Sequence, residues 1–246
     1  MTPNRQRLDL ALVARGLVTT RARARDAIVR GCVKVDGGTV TAVSQQVAPD
    51  AAIVVDDPAG RYVSRAALKL IAGLDQFGYR AEGMTVLDIG ASTGGFTQVL
   101  IERGAERVYA VDVGHGQLHP RLRKDPRIVG LEGVNARDLG PEHIGDPIDA
   151  VVSDVSFISL RLALPPALAL ASPGAWGVFL VKPQFEVGRE RVGKGGIVRD
   201  AEVAKAAAQA IADWLAVDMG WTIDGLVESP LAGGDGNREF LLGARK

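Results

Sequence analysis

Short apolar runs alternate with segments of helical spacing from residue 64 to the end of the chain. The runs are rich in β-branched residues and bounded by turn residues, and they predict strands at 85–90, 107–114, 127–132, 148–154, 176–182, 221–228 and 238–243. Alternation of strands with helices predicts an α/β fold with a doubly wound, seven-stranded, mostly parallel sheet. The turn GGDGN separates the last two runs, so we expect the last strand to be antiparallel.

The longest uncharged stretch, residues 162–181, approaches the length of a membrane span. It contains three prolines and two glycines, which favour a helix, PPALALAS, followed by a buried strand, WGVFLV. We therefore predict no membrane span. No secretory signal is recognised, and a single cysteine, Cys32, is typical of a reducing cytoplasm. The composition, 47% hydrophobic and 24% charged over 246 residues, is that of a globular protein.

Residues 86–100, VLDIGASTGGFTQVL, have the pattern of a strand, a glycine turn and a helix. Gly90, Gly94 and Gly95 let the backbone approach a ligand, and the beginning of the helix supplies unpaired amide donors. A dinucleotide fingerprint would have a glycine where Ser92 stands, and a Walker loop would end in Gly-Lys-Ser/Thr. The spacing therefore disfavours NAD and excludes a Walker loop.

A second apolar run, RVYAVDV, places Asp112 at its carboxyl end, 22 residues after Gly90. A carboxylate in this position can accept hydrogen bonds from both hydroxyls of a ribose. S-adenosylmethionine has such a ribose and no phosphate, so the pattern favours it over NAD. The alternative is a turn that only packs a helix on the sheet of a ligand-free domain, because short glycine motifs also occur by chance.

Positive charge is concentrated in the first 34 residues, which carry eight Lys/Arg and two acidic residues although the whole chain is neutral. RQRLDLALVARG and TTRARARDAIVRG predict two short helices, and CVKVDGGTV predicts a hairpin that turns at Asp36-Gly37-Gly38. Three arginines occupy the first turns of the second helix, where the helix dipole disfavours cations unless an anion lies nearby. This indicates a polyanion partner, whereas the alternative is a solvated basic face.

This segment resembles the small RNA-binding domain named after ribosomal protein S-four, through Arg-Leu-Asp near its start, the basic second helix and the pattern Gly-x-Val-x-Val-Asp-Gly. The resemblance covers about residues 5–57, and Thr20 stands where the family commonly has serine. We therefore predict an RNA-binding domain at 1–58, a linker at 59–63 and a second domain at 64–246. The predicted RNA contacts are Arg5, Arg7, Arg21, Arg23, Arg25 and, in the second domain, Arg65.

Charged residues stand at the ends of three apolar runs. Asp154 ends IDAVVSD, Lys182 ends WGVFLVK, and Glu239 begins the last run. Taken singly, each is explained as a surface charge at the end of a strand. Ligands of such sheets bind at the carboxyl ends of the strands, however, so we expect these charges to meet beside the glycine turn. Lys69, in the helix before the first strand, is expected to reach the same place.

The quartet Lys69, Asp154, Lys182 and Glu239 resembles the Lys-Asp-Lys-Glu tetrad of FtsJ-like ribose 2'-O-methyltransferases, and Ser-Arg-x-x-x-Lys-Leu occurs at Ser64–Leu70. With DVSFIS, VKPQFEVG, GGDGNREF and the amino-terminal domain, nearly the whole chain resembles the TlyA/haemolysin A type of rRNA methyltransferase. This implies a Rossmann-like methyltransferase fold, S-adenosyl-L-methionine as cofactor, and a cytidine ribose of ribosomal RNA as substrate. The expected cofactor-binding residues are Gly90, Ser92, Gly94, Gly95, Phe96, Asp112, Asn135 and Asp154.

The tetrad is expected to supply positioning and a base, since a ribose hydroxyl is a poor nucleophile until its proton leaves. A free lysine, with a pKa of ~10.4, is protonated at neutral pH. Burial, a second lysine and the sulfonium charge would lower the pKa of Lys182, making it the expected base. Asp154 and Glu239 would orient the two lysines, and Lys69 would hold the hydroxyl or the adjacent phosphate. Ion pairing would raise the pKa of the lysines instead, and the sequence leaves this balance open.

Two other functions stay open at this stage. Proteins of this type are sometimes recorded as haemolysins, which suggests a membrane-lytic activity, and a cofactor-free RNA-binding module is also conceivable. Asn135 stands where related enzymes often have an aspartate near the adenine, although an amide can also read that base. No metal site is predicted, and the sequence specifies neither the oligomeric state nor the ribosomal subunit.

Overall fold

The computed structural model describes residues 5–234 and 236–246. The chain divides into two compact units, Met1–Arg61 and Tyr62–Lys246. The predicted linker, residues 59–63, spans this division, and the limits predicted for the two domains stay predictions. The first four residues of the predicted RNA-binding domain, and Asp235 of the predicted GGDGN turn, lie outside the described residues.

The amino-terminal unit packs two helices on short strands. The helices are α1 (Leu8–Ala14) and α2 (Arg21–Val29), and the strands are β1 (Gln6–Arg7), β2 (Val33–Val35), β3 (Gly38–Thr39), β4 (Gln46–Val47) and β5 (Ile53–Val55). The first helix is shorter than predicted, because Gln6 and Arg7 pair with β4. Residues fully shielded from solvent form its core: Leu8, Leu12, Ala24, Ala27, Ile28 and Val33.

The predicted hairpin is present between β2 and β3. Asp36 and Gly37 form its turn, with φ values of 49° and 84°. Two successive left-handed residues are what a two-residue hairpin of this kind requires, and Asp-Gly is among the sequences that adopt it most readily. Gly38, which the sequence pattern includes in the turn, already belongs to β3.

The second unit is built on one seven-stranded sheet. Its strands are β6 (Thr85–Ile89), β7 (Arg107–Asp112), β8 (Ile128–Glu132), β9 (Ile148–Ser153), β10 (Ala171–Val181), β11 (Thr222–Glu228) and β12 (Phe240–Arg245). They lie in the order β11-β12-β10-β9-β6-β7-β8. β12 is antiparallel to β10 and β11, whereas the pairs from β10 to β8 are parallel. The predicted sheet, with its antiparallel last strand, is confirmed.

Helices cover both faces of this sheet. They are α3 (Ala67–Phe77), α4 (Gly95–Glu102), α5 (Pro120–Arg123), α6 (Leu160–Ala163), α7 (Pro165–Leu170), α8 (Pro183–Glu186) and α9 (Ala201–Val217). Single 3-10 turns occur at Pro58–Arg61, Ala136–Asp138, Pro141–His143 and Arg189–Arg191. The helix predicted over PPALALAS ends at Leu170, because the chain enters β10 at Ala171 and shifts its register against β9 before Trp176. Among the described residues, no helix is long and apolar enough to cross a membrane.

Successive residues of the central strands serve two separate cores. Val86 packs in the core that holds α3 and α4, whereas the next residue, Leu87, packs in the core that holds α6, α7 and α9. Val178 and Phe179 of β10 divide in the same way. Because side chains alternate across a strand, a strand covered on both faces is apolar along its whole length. This explains why the strands were recognisable from the sequence.

The connections leave a crevice between two neighbouring strands. From β6 the chain proceeds to β7 and β8 on one side, and then returns to place β9 on the other side of β6. Ligands of open α/β sheets bind at such a switch point, beyond the carboxyl ends of the strands. Gly90 follows β6 there, and Asp154 follows β9, with the Asp154 amide donating to the Ile89 carbonyl over 3.1 Å.

Candidate active site

The glycine turn brings the ends of β6 and β9 close together. Gly90 has φ of 83°, and a Cβ atom there would lie 3.0 Å from the backbone of Val155. Ser92 also has a left-handed backbone, with φ of 48°. A Cβ on Gly95 would lie 2.9 Å from Ser64 Cβ, and one on Gly94 would lie 2.4 Å from Leu122 Cδ1. Gly94 therefore leaves room for a packed leucine side chain. Gly90 and Gly95 let the backbone of Val155 and the side chain of Ser64 approach the turn closely.

Asp112 ends β7 beside this turn. Its two carboxylate oxygens accept hydrogen bonds from the Ser92 amide, over 2.8 Å, and from the Gly114 amide, over 2.7 Å. Ser92 Oγ is 3.1 Å from Gln117 Oε1. These contacts fix the orientation of the carboxylate, and each of its oxygens keeps a further lone pair for a ligand hydroxyl.

A cavity of about 460 Å³ opens between the glycine turn and the loops after β7, β8 and β9. Its polar groups include those of Asp112, Ser92 and Asp154, together with Gln117 and Ser156. Asn135 lines it as well, with its Oδ1 accepting from the Arg137 amide over 3.1 Å, so its amide nitrogen is the donor left for a ligand. Apolar side chains complete the wall: Val111, Val113, Val134, Ala136 and Ile158. A volume of this size with few polar groups fits an adenosine derivative, so we call it the cofactor cavity.

Asp88 is a buried acid that sequence reasoning did not assign to the site. It has no exposed surface, and Thr97 Oγ1 donates to its Oδ2 over 2.6 Å, while Oδ1 has no hydrogen-bond partner among the described residues. Burial raises the pKa of Asp88 to about 7; the Thr97 hydrogen bond opposes this rise, and the charge of Asp154 adds to it. The signal was an acidic residue inside the apolar run VLDI.

The four tetrad residues form two ion pairs. Lys69 on α3 pairs with Glu239, which immediately precedes β12, and both side chains are almost completely buried. Lys182 Nζ lies 2.7 Å from Asp154 Oδ1, and it donates to Ser156 Oγ over 2.7 Å and to the Asp154 carbonyl over 3.2 Å. The structure therefore brings together all four charges that the sequence singled out, and it adds Ser156 as a partner of Lys182.

A second cavity, of about 540 Å³, lies against these pairs, and we call it the acceptor cavity. Its wall contains all four tetrad residues, Ser64, Arg65, and the glycines Gly195, Gly196 and Gly234. Asp154, Ser156 and Phe157 line this cavity and the cofactor cavity alike. A smaller space of about 150 Å³ between Gly90 and Lys182 is lined by Gly95 and Phe96 too. The tetrad therefore lies where two ligands can meet.

Phe157 is an unexpected feature of the acceptor cavity. It is a non-glycine residue with φ of 66°, and 90% of its side chain is exposed. Its ring centroid lies 5.2 Å from that of Phe185. A left-handed backbone is unfavourable for a bulky residue, and a large exposed aromatic residue is unusual on a monomer surface. The DVSF sequence alone carried no signal for this arrangement.

The predicted RNA-binding arginines of the amino-terminal unit converge partly on one acid. Asp9 is fully buried and accepts from Arg7 Nε over 3.0 Å and from Arg21 Nε over 2.8 Å. The hydrogen bond from Arg7 lowers the pKa of Asp9 to about 2, and that from Arg21 acts in the same direction, against the effect of burial. Asp9 thus supplies the anion that the start of α2 requires. Arg7 and Arg21 nevertheless keep 39% and 56% of their side chains exposed.

The other predicted RNA contacts are placed differently. Arg5 and Arg25 are exposed. Arg23 is half-buried and donates to the Gly60 carbonyl over 3.3 Å. Arg65, in the second unit, donates to the Ala232 carbonyl over 3.2 Å and lines the acceptor cavity.

Similarity to known proteins agrees with this geometry. Residues 62–246 match the FtsJ-like methyltransferase family, and residues 6–53 match the S4 domain. The chain is 47% identical to the 16S/23S rRNA (cytidine-2'-O)-methyltransferase TlyA of Mycobacterium tuberculosis, with 98% of this chain and 90% of that protein covered. It is 41% identical to Hemolysin A of Brachyspira hyodysenteriae, with 96% and 98% covered.

A solved structure described as "Putative hemolysin from Streptococcus thermophilus" superposes with a TM-score of 0.77 at 38% identity, covering 100% of this chain and 90% of that one. The match extends over both units of the chain. Together with the two family matches, it confirms the resemblance that the tetrad and its flanking motifs indicated.

Proposed function

Because the chain belongs to the FtsJ-like methyltransferase family, we propose that it transfers a methyl group from S-adenosylmethionine to the 2'-hydroxyl of a cytidine in ribosomal RNA. The observation that carries the proposal is that both lysine–carboxylate pairs line the acceptor cavity, while Asp154 of one pair lines the cofactor cavity as well. The choice of cytidine rests on the name of the similar TlyA protein. A cytoplasmic location and ribosomal subunits as the natural substrate are part of the proposal.

The cofactor cavity orients its ligand through the residues already described. The Asp112 carboxylate, held by two backbone amides, would accept the ribose hydroxyls, and the Asn135 amide would face the adenine. The bound cofactor supplies an activated methyl group on its sulfonium. Asp154 extends from the cofactor cavity to Lys182, so it would set the distance between the two ligands.

Two aromatic residues and one lysine are suited to hold the acceptor nucleotide. Phe157 and Phe185 present aromatic rings to the acceptor cavity, and aromatic side chains commonly stack on unpaired bases of RNA. The buried Lys69–Glu239 pair lies in the same wall. Lys69 would donate to the 2'-hydroxyl or to a neighbouring phosphate, while Glu239 keeps the ammonium group in place.

Lys182 is the proposed base. It lines both the acceptor cavity and the small space beside Gly90 and Ser92, whereas Lys69 contacts the acceptor cavity from the other side of the tetrad. Its Nζ has three oxygen neighbours, on Asp154 and Ser156, which determine its direction. To accept the hydroxyl proton, Nζ must first lose one of its own protons, and the ribose oxygen would then be free to act as the nucleophile. General bases of this kind contribute ~100-fold to 10,000-fold to a rate.

The amino-terminal unit is the proposed RNA-binding module. Arg7 and Arg21 are oriented by the buried Asp9, yet their side chains stay accessible, so phosphate can bind without first ordering them. Arg5, Arg23 and Arg25 add positive charge around the start of α2. Phosphate contacts of this kind position an RNA rather than read its sequence. Recognition of the target nucleotide is therefore assigned to the acceptor cavity.

The proposal is tested by incubating the purified protein with methyl-labelled S-adenosylmethionine and ribosomal subunits from cells that lack the gene. We expect the label in 2'-O-methylcytidine, identified by mass spectrometry after nuclease digestion. The phosphodiester bond that follows the labelled nucleotide should resist alkaline cleavage, because its 2'-hydroxyl is methylated. The proposal is contradicted if the label is found in a base of the RNA, or if the RNA is not labelled at all. Calorimetry separates the other possibility, a cofactor-free RNA-binding module, because that module would not bind S-adenosylmethionine. Leakage from liposomes tests the lytic activity that the hemolysin name implies.

A further inference from the structure

Asn237 is a buried polar residue outside the tetrad, with only 2% of its surface exposed. Its side-chain Oδ1 accepts from the Val198 amide over 2.9 Å, and its Nδ2 donates to the Gly196 carbonyl over 2.9 Å. The side-chain amide offers an acceptor and a donor on separate atoms, and this arrangement uses both. The residue therefore fastens the segment at 196–198 by two complementary hydrogen bonds.

The fastened segment belongs to a tight loop at 193–198, which we call the glycine loop. Its ends meet where the Gly193 amide donates to the Ile197 carbonyl over 3.0 Å. Gly195 and Gly196 have φ values of 82° and 77°, and both line the acceptor cavity. Lys194 stands exposed between the paired ends. Val198 anchors the end of the loop in the core that holds α6, α7 and α9, and the Asn237 side chain holds the backbone from Gly196 to Val198.

The backbone of Asn237 is tied to the tetrad side of the cavity. Its carbonyl accepts from the Gly233 amide over 2.8 Å, and Gly234 also lines the acceptor cavity. Two residues further on, Glu239 pairs with Lys69, and the Glu239 carbonyl accepts from the Ser229 amide over 2.8 Å. Asn237 thus connects the glycine loop, by its side chain, to the backbone segment that carries Glu239.

We propose that Asn237 is a positioning residue for the acceptor nucleotide: it holds the glycine loop at a fixed distance from the Lys69–Glu239 pair, so that the acceptor cavity keeps the shape in which the ribose hydroxyl faces Lys182. This inference rests on the proposed function. The residues that line the cofactor cavity lie in other segments, namely 90–92, 111–117, 134–136 and 154–163. Loss of the Asn237 amide therefore affects handling of RNA and leaves binding of S-adenosylmethionine unchanged.

Two variants test this, Asn237→Ala and Asn237→Asp. The aspartate keeps an acceptor for the Val198 amide but places a carboxylate against the Gly196 carbonyl, so it releases one side of the loop. For both variants we expect the single-turnover rate with saturating RNA to fall about 10-fold to 100-fold, because small misplacements of reacting groups have effects of this size. Affinity for S-adenosylmethionine, measured by calorimetry, should stay at the wild-type value. The melting temperature should fall by a few degrees only, because the loss is confined to the two hydrogen bonds of Asn237.

Limited trypsin digestion measures the loop itself. Cleavage after Lys194 should be faster in both variants, whereas cleavage after Arg103, beyond α4, should be unchanged. Gln209→Ala is the matched control, because Gln209 is an exposed amide on α9 that bonds only Asp213 among the described residues. It should behave as wild type in every assay.

The outcomes are distinguishable. Wild-type rates in both Asn237 variants would refute the positioning role while leaving the proposed function intact. A parallel loss of rate, cofactor affinity and melting temperature would also refute it, by showing that Asn237 stabilises the whole unit. No methyl transfer to RNA by the wild-type protein would refute the proposed function and, with it, the inference.

Discussion

Lys182 and Asp154 form an ion pair, with 2.7 Å between Nζ and Oδ1, in the wall of the acceptor cavity, and Asp154 lines the cofactor cavity as well. They follow β10 and β9, which are neighbours in the sheet. Ser156 holds the same Nζ from another side. A lysine directed by three oxygens, lining the acceptor cavity and the small space beside Gly90, is suited to accept a proton from a bound acceptor.

Lys182→Ala should therefore separate binding from chemistry. The variant should bind S-adenosylmethionine and RNA nearly as wild type, yet lose ~100-fold to 10,000-fold in single-turnover rate, because it lacks the base. Raising the pH should partly restore the variant, since more of the ribose hydroxyl is then ionised. Lys182→Arg keeps the charge beside Asp154 but cannot deprotonate, so it should be similarly impaired.

Lys205→Ala, at an exposed lysine of α9, is the control. A Lys182→Ala variant with more than half the wild-type rate would exclude the base assignment.

Asp112→Ala should weaken cofactor binding specifically. The ribose hydroxyls would lose a charged acceptor, a change of roughly 1.5 to 3 kcal/mol, and the Ser92 and Gly114 amides would lose their partner. Calorimetry with S-adenosylmethionine measures the effect directly. RNA affinity should not change, and Asp213→Ala, at an exposed acid of α9, should match the wild type in both assays. Equal cofactor affinity of Asp112→Ala and wild type would show that the ribose binds elsewhere.

Asp88 should make the protein less stable as the pH rises from about 4 to about 7, which is the opposite of the usual effect of a carboxyl group. Its pKa in the folded protein is about 7, above the ordinary value of 3.8, so folding favours the protonated acid. Its contribution to the free energy of unfolding is greatest below pH 4 and is lost as the pH rises to about 7. Between pH 4 and pH 7, the free energy of unfolding of the wild type should therefore fall relative to that of Asp88→Asn. One pKa unit corresponds to about 1.4 kcal/mol, so the expected fall is on the order of 4 kcal/mol.

The measurement for Asp88 is urea unfolding of wild type and Asp88→Asn at several pH values from 4 to 8. Asp125→Asn is the control, because its hydrogen bond with Arg127 lowers the pKa of Asp125 and its effect should be constant above pH 5. A difference between wild type and Asp88→Asn that does not change with pH would mean that Asp88 stays ionised in the folded protein.

Replacing Arg21 and Arg25 together with glutamate should weaken RNA binding and leave cofactor affinity unchanged. Both lie on one face of α2, and wild-type binding should weaken as salt increases, because phosphate contacts release counterions. A glutamate at position 21 also faces the buried Asp9, so Arg21→Gln with Arg25→Gln is needed as a second variant. Arg103→Glu, at a surface ion pair of the second unit, is the control. Unchanged RNA affinity in both double variants at low salt would remove α2 from RNA recognition.

Much of the site was predictable because its signals are local. The glycine turn, Asp112 and the charges after β9 and β10 stand beside apolar runs, and the carboxyl ends of parallel strands share one edge. The partners of the charges were not predictable. Lys69 and Glu239 are separated by 170 residues, and they meet only because α3 packs on β10 and β12. The structure shows that both lysines are ion-paired, which no local signal in the sequence revealed.

The sequence by itself determined the sheet, the basic amino-terminal helix and the residues of the tetrad, because burial on two faces and strand-end charges leave a pattern within a few residues. Only the tertiary structure decided what depends on contacts between distant segments. Asp9 takes Arg7 and Arg21 as partners, Phe157 stands exposed with a left-handed backbone, and Asn237 binds a loop about 40 residues earlier in the chain. Such contacts follow from how the elements pack, which no short stretch of sequence specifies.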